Sequence, residues 1–259
     1  HTDFANGLKR LYFKTVTRAA LRKYQRVFAC SENDARTFEA VTDRQLKLIE
    51  NGVDTDKFAN AASRVFSPSL VYFGRFASHK GLQQLLEVFR HMKVMLPEVR
   101  LTLIGSDWDG TLKALQQQSA DQIQDGSVVI EPDLDDTAIF SRLSQCSFFV
   151  SASQYEGFGL TVVEALSAGL IPIVNRIPTF EKIVNTADVG LVADFNDTEA
   201  TAHAIVEFIV RCSKQHELLR GRAIGASQRY NWHAVEKEFR AEYENVIGLK
   251  RRNILGVDI

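Results

Sequence analysis

The sequence predicts an α/β protein built on a doubly wound, Rossmann-like parallel sheet. From Ser69 onward, six short apolar runs read as strands: Leu70–Gly74, Val99–Gly105, Val128–Glu131, Phe148–Ser151, Ile171–Val174 and Gly190–Val192. They mostly alternate with helical stretches of roughly ten residues or more, the pattern of βαβ units with helices on both faces of the sheet. Within them Phe148-Phe149-Val150 is apolar without a break, as a strand covered on both sides must be. With 45% hydrophobic and 24% charged residues among 259, the chain has ample material for such a core.

The elements before Ser69 are shorter. Residues 8–26 place Leu8, Leu11, Tyr12, Phe13, Val16, Ala19, Ala20 and Leu21 at helical spacing among Lys9, Arg10, Lys14, Arg18, Arg22, Lys23 and Arg26. That is a basic amphipathic helix. Arg26–Cys30 follows as a strand, and Ser31 caps a helix that Glu32 and Asp34 open with acids. Leu46–Glu50 is a second short strand, ended by the turn Asn51-Gly52-Val53-Asp54. Residues 55–69, rich in small and polar side chains with Pro68, read as an interdomain linker. At the other end, Glu199–Cys212, Lys214–Ala226 and Ala234–Gly248 read as helices, and Lys250–Ile259 carries no clear signal. The expected organisation is therefore 1–65 as the end of one domain plus linker, 66–230 as the sheet domain, and 231–259 as a helix and tail returning toward the first domain.

Composition narrows the function classes. Three cysteines, Cys30, Cys146 and Cys212, lie far apart with no C-x-x-C spacing and read as small buried apolar residues in a reducing, cytoplasmic setting. No apolar run reaches the ~18 residues of a membrane span, and no signal peptide is present. The chain opens on His1 rather than methionine and reads as a fragment. Net charge is −1, yet seven basic residues against the single acid Asp3 put +6 on residues 1–30 and leave −7 on the remainder. An anionic membrane surface is a natural partner for that first helix, and a solvated helix fits the same pattern. Nucleic acid is not an expected partner: Tyr230, Trp232, Phe239 and Tyr243 look like a packing face of the last helices. The six histidines form no zinc motif, and no G-x-S-x-G or G-x-G-x-x-G stands at an early strand end. The Asp-x-Asp pairs 54/56, 107/109 and 133/135 all fall in turn-like stretches, so no metal site is expected.

The chemistry concentrates at Glu156-Gly157-Phe158-Gly159-Leu160-Thr161-Val162-Val163-Glu164. A buried strand gives way to a Gly-x-Gly turn, and a helix starts near Leu160. Glycines let a backbone turn tightly and approach a ligand. The helix start presents free N–H groups and its positive dipole end, a place for phosphate. Glu164, one turn in, can accept from two neighbouring hydroxyls as a ribose offers them, and Glu156 can do the same for a sugar. In Gly74-Arg75-Phe76-Ala77-Ser78-His79-Lys80-Gly81, after the first strand of the sheet domain, an arginine fork and a lysine point charge are competent to clamp a diphosphate. In open α/β sheets, ligands sit beyond the carboxyl ends of the strands, where both segments fall. Gly105 ends another strand and permits a close backbone approach. Read without a ligand, the acids are a loop residue and a first-turn residue, the cations are solvated, and the glycines form turns. That reading leaves the joint spacing unexplained.

Together with Asn51-Gly52-Val53-Asp54, Ser31-Glu32-Asn33-Asp34 and Ala168-Gly169-Leu170-Ile171-Pro172, these segments resemble the retaining glycosyltransferases of family 4, including their E-x7-E signature. The resemblance covers nearly the whole chain. Its opening and Leu166–Ile173 are similar to the bacterial exopolysaccharide mannosyltransferases of xanthan and acetan assembly. It implies a two-domain GT-B fold whose donor domain is the sheet domain, with most of an N-terminal acceptor domain, including a histidine placed near the donor hexose, preceding His1. It implies that Arg75 and Lys80 bind the donor diphosphate and act with Glu156 in catalysis. Glu156 and the backbone of Gly157, Phe158 and Gly159 would hold the hexose. Gly74, Leu160 and Thr161 would lie against the phosphates and nucleoside, and Glu164 would bind the ribose. Ile130 and Pro132 fall where relatives touch the base, with Pro132 in place of the usual glycine. The implied reaction moves mannose from GDP-mannose, with retention and without a metal, to a polyprenyl-diphosphate-linked cellobiose at the cytoplasmic face of the inner membrane. Transfer from a UDP-sugar, 2-epimerisation of a nucleotide sugar, and donor binding without turnover are the competing readings.

Overall fold

A computed structural model describes Gly7 and residues 10–255, with side chains placed through residue 248. His1, Asp3, Leu8 and Lys9 lie outside the described residues. The chain divides into two compact units, one from His1–Gly52 and Tyr230–Ile259, the other Val53–Arg229.

The first unit contains a two-stranded parallel sheet of β1 (Val27–Ala29) and β2 (Leu46–Leu48). Helix α1 (Glu32–Glu39) connects them, capped by the Ser31 hydroxyl, which accepts from the Asp34 N–H at 3.1 Å. Residues 10–21 are helical with a π turn at Phe13–Thr17. The helix stops at Leu21, so the basic amphipathic segment expected to reach Arg26 is shorter than its sequence pattern; Arg22 and Lys23 form a turn. Phe13 packs on Phe38 at 5.4 Å, while Leu11, Tyr12 and Val16 are exposed. The last helix of the chain, Trp232–Leu255, stacks Phe239 and Tyr243 on Phe28, with ring centroids 5.3 and 6.1 Å away.

The second unit holds a six-stranded parallel sheet in the order β5-β4-β3-β6-β7-β8. Its strands are β3 (Ser69–Phe73), β4 (Arg100–Gly105), β5 (Val128–Pro132), β6 (Phe148–Ser151), β7 (Ile171–Asn175) and β8 (Leu191–Ala193). Chain order runs outward from β3 to β5, then returns to β6 beside β3 and runs outward the other way. β3 and β6 are therefore neighbours at the switch point, and Leu70 pairs with Phe148 and Val71 with Phe149. Val71, Phe148, Phe149 and Val150 are wholly buried, as apolar strands covered on both faces require. Each such side chain contributes about 1.5–3 kcal/mol by leaving water.

Helix α2 (Leu82–Met95) follows β3, α3 (Thr111–Gln118) and α4 (Ala120–Gln124) follow β4, and α5 (Asp136–Leu143) follows β5. Helix α6 (Leu160–Ala168) follows β6, and α7 (Pro178–Ala187), α8 (Thr198–Cys212) and α9 (His216–Ser227) complete the unit. Of residues 55–69, read as linker from composition, Ser69 opens β3 and the others hold no helix or strand. They nevertheless pack on this unit: the N–H groups of Asn60, Ala62 and Ser63 donate to the carbonyls of Ser167, Ala168 and Cys146, and Phe58 is buried. Arg220, itself buried, donates to the Asn60 carbonyl and side chain at 3.3 Å.

Candidate functional site

Two loops meet at the carboxyl ends of the adjacent strands β3 and β6. The first runs from Gly74 to Lys80, the second from Ala152 to Gly159. Their proximity is dictated at Gly81, which adopts a left-handed φ of 65°; a Cβ there would lie 2.2 Å from the Ala152 carbonyl oxygen. Only glycine tolerates both conditions. The loops are also tied by the Gln154 N–H, which donates to the His79 carbonyl at 2.9 Å. On the far side, the Asn175 amide donates to the Ser153 carbonyl at 3.1 Å, and its oxygen accepts from the Arg176 and Phe195 N–H groups. One buried asparagine thus stitches together chain leaving β6, β7 and β8.

This scaffold brings Lys80 and Glu156 together across 76 positions of sequence. Lys80 Nζ donates to Glu156 Oε1 at 2.7 Å, with the two side chains only 10% and 15% exposed. A loop lysine is ordinarily solvated; this one is buried against its partner. Arg75 stays exposed, its guanidinium over the Trp108 ring at 4.9 Å. The Tyr72 hydroxyl beneath it donates to the Arg75 carbonyl at 2.7 Å. Burial pushes the Tyr72 phenol up, the Glu156 charge adds to that, and Arg75 opposes it, so the hydroxyl remains a donor.

Helix α6 begins immediately beyond. Gly159, at φ 88°, is its left-handed N-cap, and Gly157 faces open space, with no atom within 4 Å of where a Cβ would stand. The Glu156 carbonyl is held by the Thr179 hydroxyl at 3.1 Å. Phe158 is buried and Leu160 is exposed. Thr161 and Glu164 face a cleft of about 490 Å³ that Gly74, Arg75 and Gly105 also line, within the range of small-molecule sites. A Cβ on Gly105 would fall 1.6 Å from the Gly74 carbonyl oxygen, so the end of β4 and the chain leaving β3 touch at this point.

Glu164 is half-buried, and its carboxylate has no hydrogen-bond or ion-pair partner among the described residues. Burial pushes its pKa up; Lys57 opposes the rise, and Asp136 and Asp54 reinforce it. Lys57 is itself paired with Asp136 at 2.9 Å. An acid left in this state is poised for hydroxyl groups from a ligand.

The other sequence-derived positions fall less uniformly. Lys80, Glu156 and residues 157–160 do not line this cleft, and neither do Ile130 and Pro132; Asp133 and Leu134, the next residues after Pro132, do. Asp133 takes a left-handed φ of 56° and donates its N–H to the Gly105 carbonyl, which turns the chain inward at that point. Lys57, Tyr72, Trp108 and Asn175 escaped the sequence reading, and Asp133 was read there only as a turn acid. Trp108 and Asp133 follow strand ends, which was their one available signal; Lys57 gave none. The Asp-x-Asp acids serve backbone turns: Asp54 accepts from the Asp56 and Lys57 N–H groups, Asp109 from Ser78, and Asp135 caps α5 through Ala138. Among the described residues, no three His, Cys, Asp or Glu side chains are grouped to hold a metal ion. A second hollow of about 330 Å³, bordered by Gly190 just before β8, is lined by none of the predicted site residues.

The parallel sheet and the cleft beyond its strand ends define an α/β domain of doubly wound type, and comparison with known proteins gives the class directly. Residues 54–220 match the family Glycosyl transferases group 1. The chain belongs to this family. Over 252 residues, 97% of this chain, it is 31% identical to the GDP-mannose:cellobiosyl-diphosphopolyprenol alpha-mannosyltransferase of Xanthomonas campestris. It is also 31% identical, over 96% of the chain, to the protein of the same name from Komagataeibacter xylinus. It spans 66% and 63% of the lengths of those two relatives, just under two thirds. Among solved structures it superposes on a glycosyltransferase from Rickettsia africae with TM-score 0.76 at 18% identity, covering 91% of this chain and 67% of that one. Sucrose-phosphate synthase from Thermosynechococcus elongatus gives TM-score 0.74 at 23% identity, covering 90% and 61%. At those identities the likeness is one of fold, and it agrees with the expected GT-B type α/β architecture.

Proposed function

We propose that the protein transfers mannose from GDP-mannose, with retention, to a polyprenyl-diphosphate-linked cellobiose in exopolysaccharide synthesis. The observation carrying this reading is the unpartnered Glu164 carboxylate lining one cleft with Arg75, beside the buried Lys80–Glu156 pair and the start of α6. That set matches the parts of a sugar nucleotide in order: hydroxyls for Glu164, diphosphate for Arg75, Lys80 and the helix start, and hexose for Glu156 with the 157–159 backbone. The names of the relatives support the choice of GDP-mannose and of a lipid-linked acceptor.

In this mechanism the developing negative charge on the departing GDP is stabilised by Arg75, Lys80 and the free N–H groups at Leu160, electrostatic stabilisation of the kind that commonly dominates such transfers. Two fixed cations and a helix dipole supply the positive charge that a divalent ion would otherwise bring, so the reaction proceeds without a metal. The acceptor oxygen bonds to the anomeric carbon on the face where the bond to the GDP β-phosphate oxygen breaks, and the hydroxyl proton passes to that departing phosphate. Calorimetric titration of the intact protein with GDP-mannose, UDP-glucose and UDP-GlcNAc, beside a transfer assay with the lipid acceptor, tests the reading. GDP-mannose is expected to bind best and to be consumed only with acceptor present. Preference for a UDP-sugar, or conversion of the donor without acceptor, overturns it.

The acceptor is lipid-linked, and we place the protein peripherally on the cytoplasmic face of the inner membrane through its first helix. No helix among the described residues is long and apolar enough to cross a membrane. Leu11, Tyr12 and Val16 are exposed beside a stripe of exposed Arg10, Lys14, Arg18 and Arg22. Each basic side chain near an anionic surface contributes about 1 kcal/mol, so Lys14→Gln and Arg18→Gln should each weaken binding to phosphatidylserine-containing vesicles about fivefold. Sedimentation with those vesicles and with neutral ones reads this. Equal binding to both kinds of vesicle would remove the electrostatic anchor.

A further inference from the structure

We propose that Trp108 is a positioning residue for diphosphate binding: its indole face holds the Arg75 guanidinium over the cleft while leaving that group's hydrogen-bonding edge free. The inference rests on the reading of Arg75 as a diphosphate ligand. Trp108 is 68% exposed on the loop between β4 and α3, an unusual place for a large aromatic side chain. Arg75 lies 4.9 Å above its ring and has no carboxylate partner among the described residues. The two are each other's support.

The loop carrying Trp108 is strapped to the loop carrying Arg75. The Phe76 N–H donates to the Ser106 carbonyl at 2.8 Å, and the Trp108 N–H returns a bond to the Phe76 carbonyl at 3.0 Å. The Ser78 N–H donates to Asp109 Oδ2 at 2.9 Å. With Gly105 pressed against the Gly74 carbonyl, the backbone that bears Trp108 is fixed relative to the backbone that bears Arg75.

The chemistry explains why an aromatic ring rather than an acid does this work. A guanidinium stacks through its face and donates through its edge, so an indole restrains it without occupying its N–H groups. A carboxylate would occupy the fork that a diphosphate needs. Holding a long, rotamer-rich side chain in its bound orientation beforehand lowers the ordering cost of binding. Lys80 is held differently, by the Glu156 carboxylate, and its three donors allow one to be shared.

The test is calorimetric binding of GDP and of inorganic pyrophosphate to the intact protein and to Trp108→Ala, Trp108→Phe, Arg75→Ala and the Trp108→Ala/Arg75→Ala pair. Trp108→Ala should weaken both ligands about two- to fivefold, the scale of an exposed cation–π contact. Trp108→Phe should recover most of the loss, and the effect of removing Trp108 should vanish in the Arg75→Ala background. Unchanged affinities in Trp108→Ala overturn the proposal. So does an equal loss with and without Arg75, or a loss confined to GDP, which marks direct stacking on the base. Wild-type pyrophosphate affinity in Arg75→Ala sinks the diphosphate reading itself, and that arm separates the two failures.

Discussion

Lys80→Ala is expected to lower transfer by about two to three orders of magnitude, the loss seen when one preorganised donor to a developing anion is removed, and to destabilise the fold as well. The second effect follows from burial. Lys80 and Glu156 are 10% and 15% exposed and meet at 2.7 Å. Deleting one partner of a buried pair leaves the other uncompensated, at a cost of about 3–5 kcal/mol. The two effects separate with GDP, which lacks the hexose that Glu156 is proposed to hold. Lys80→Ala should weaken GDP binding about 10- to 100-fold, the range for a hydrogen bond to a charged group. Glu156→Gln should abolish transfer yet keep GDP affinity. In the pair Lys80→Met/Glu156→Gln neither charge remains, so urea unfolding should return toward the wild-type midpoint while GDP binding stays weak. If GDP affinity returns along with stability, Lys80 is a structural lysine and contributes nothing directly to the diphosphate.

Most of the fold was legible because its strands are short apolar runs set between helices, a pattern with few alternatives. Phe148–Ser151 reads as buried from its composition and is buried. The start of helix α6 at Leu160 was legible for a local reason, the left-handed Gly159 directly before it. What sequence conceals is pairing at a distance. Nothing near Lys80 announces a carboxylate 76 residues away, and an isolated loop cation is ordinarily solvated. Residues 55–69 have the composition of a linker, yet the N–H groups of Asn60, Ala62 and Ser63 are satisfied by carbonyls at the end of α6 and before β6. Composition reports that a segment lacks a side-chain pattern, not where its backbone bonds go. The basic helix was overextended because charges continue to Arg26, while the backbone turns at Arg22. Charge patterning carries no stop signal of its own.

Glu164→Gln should exchange function for stability, and the direction of each change follows from its position in the cleft. Burial raises the Glu164 pKa above that of the unfolded chain. A carboxyl with a raised folded-state pKa adds stability below its unfolded pKa, and that contribution is lost as pH rises through the folded value. At neutral pH the wild-type protein therefore carries an unfavourable half-buried charge that glutamine does not. The variant should be more stable than wild type at pH 7, and the difference should fade as pH falls into the ordinary carboxylate range. Binding should move the opposite way. A carboxylate accepts from two neighbouring hydroxyls at once, whereas an amide offers one oxygen and turns its NH₂ toward the other. Losing a charge-assisted contact of this kind costs about 1.5–3 kcal/mol, or roughly 10- to 100-fold in GDP affinity. Wild-type affinity should itself decline as Glu164 protonates with falling pH. The ribose assignment is isolated with 2′-deoxy-GDP: the wild-type protein should bind it more weakly than GDP, and Glu164→Gln should bind the two nearly alike. If the variant keeps full preference for GDP over its deoxy form, the carboxylate is not reading the ribose. Its burial without a partner would then be a pure stability loss, for which the cleft offers no compensating purpose.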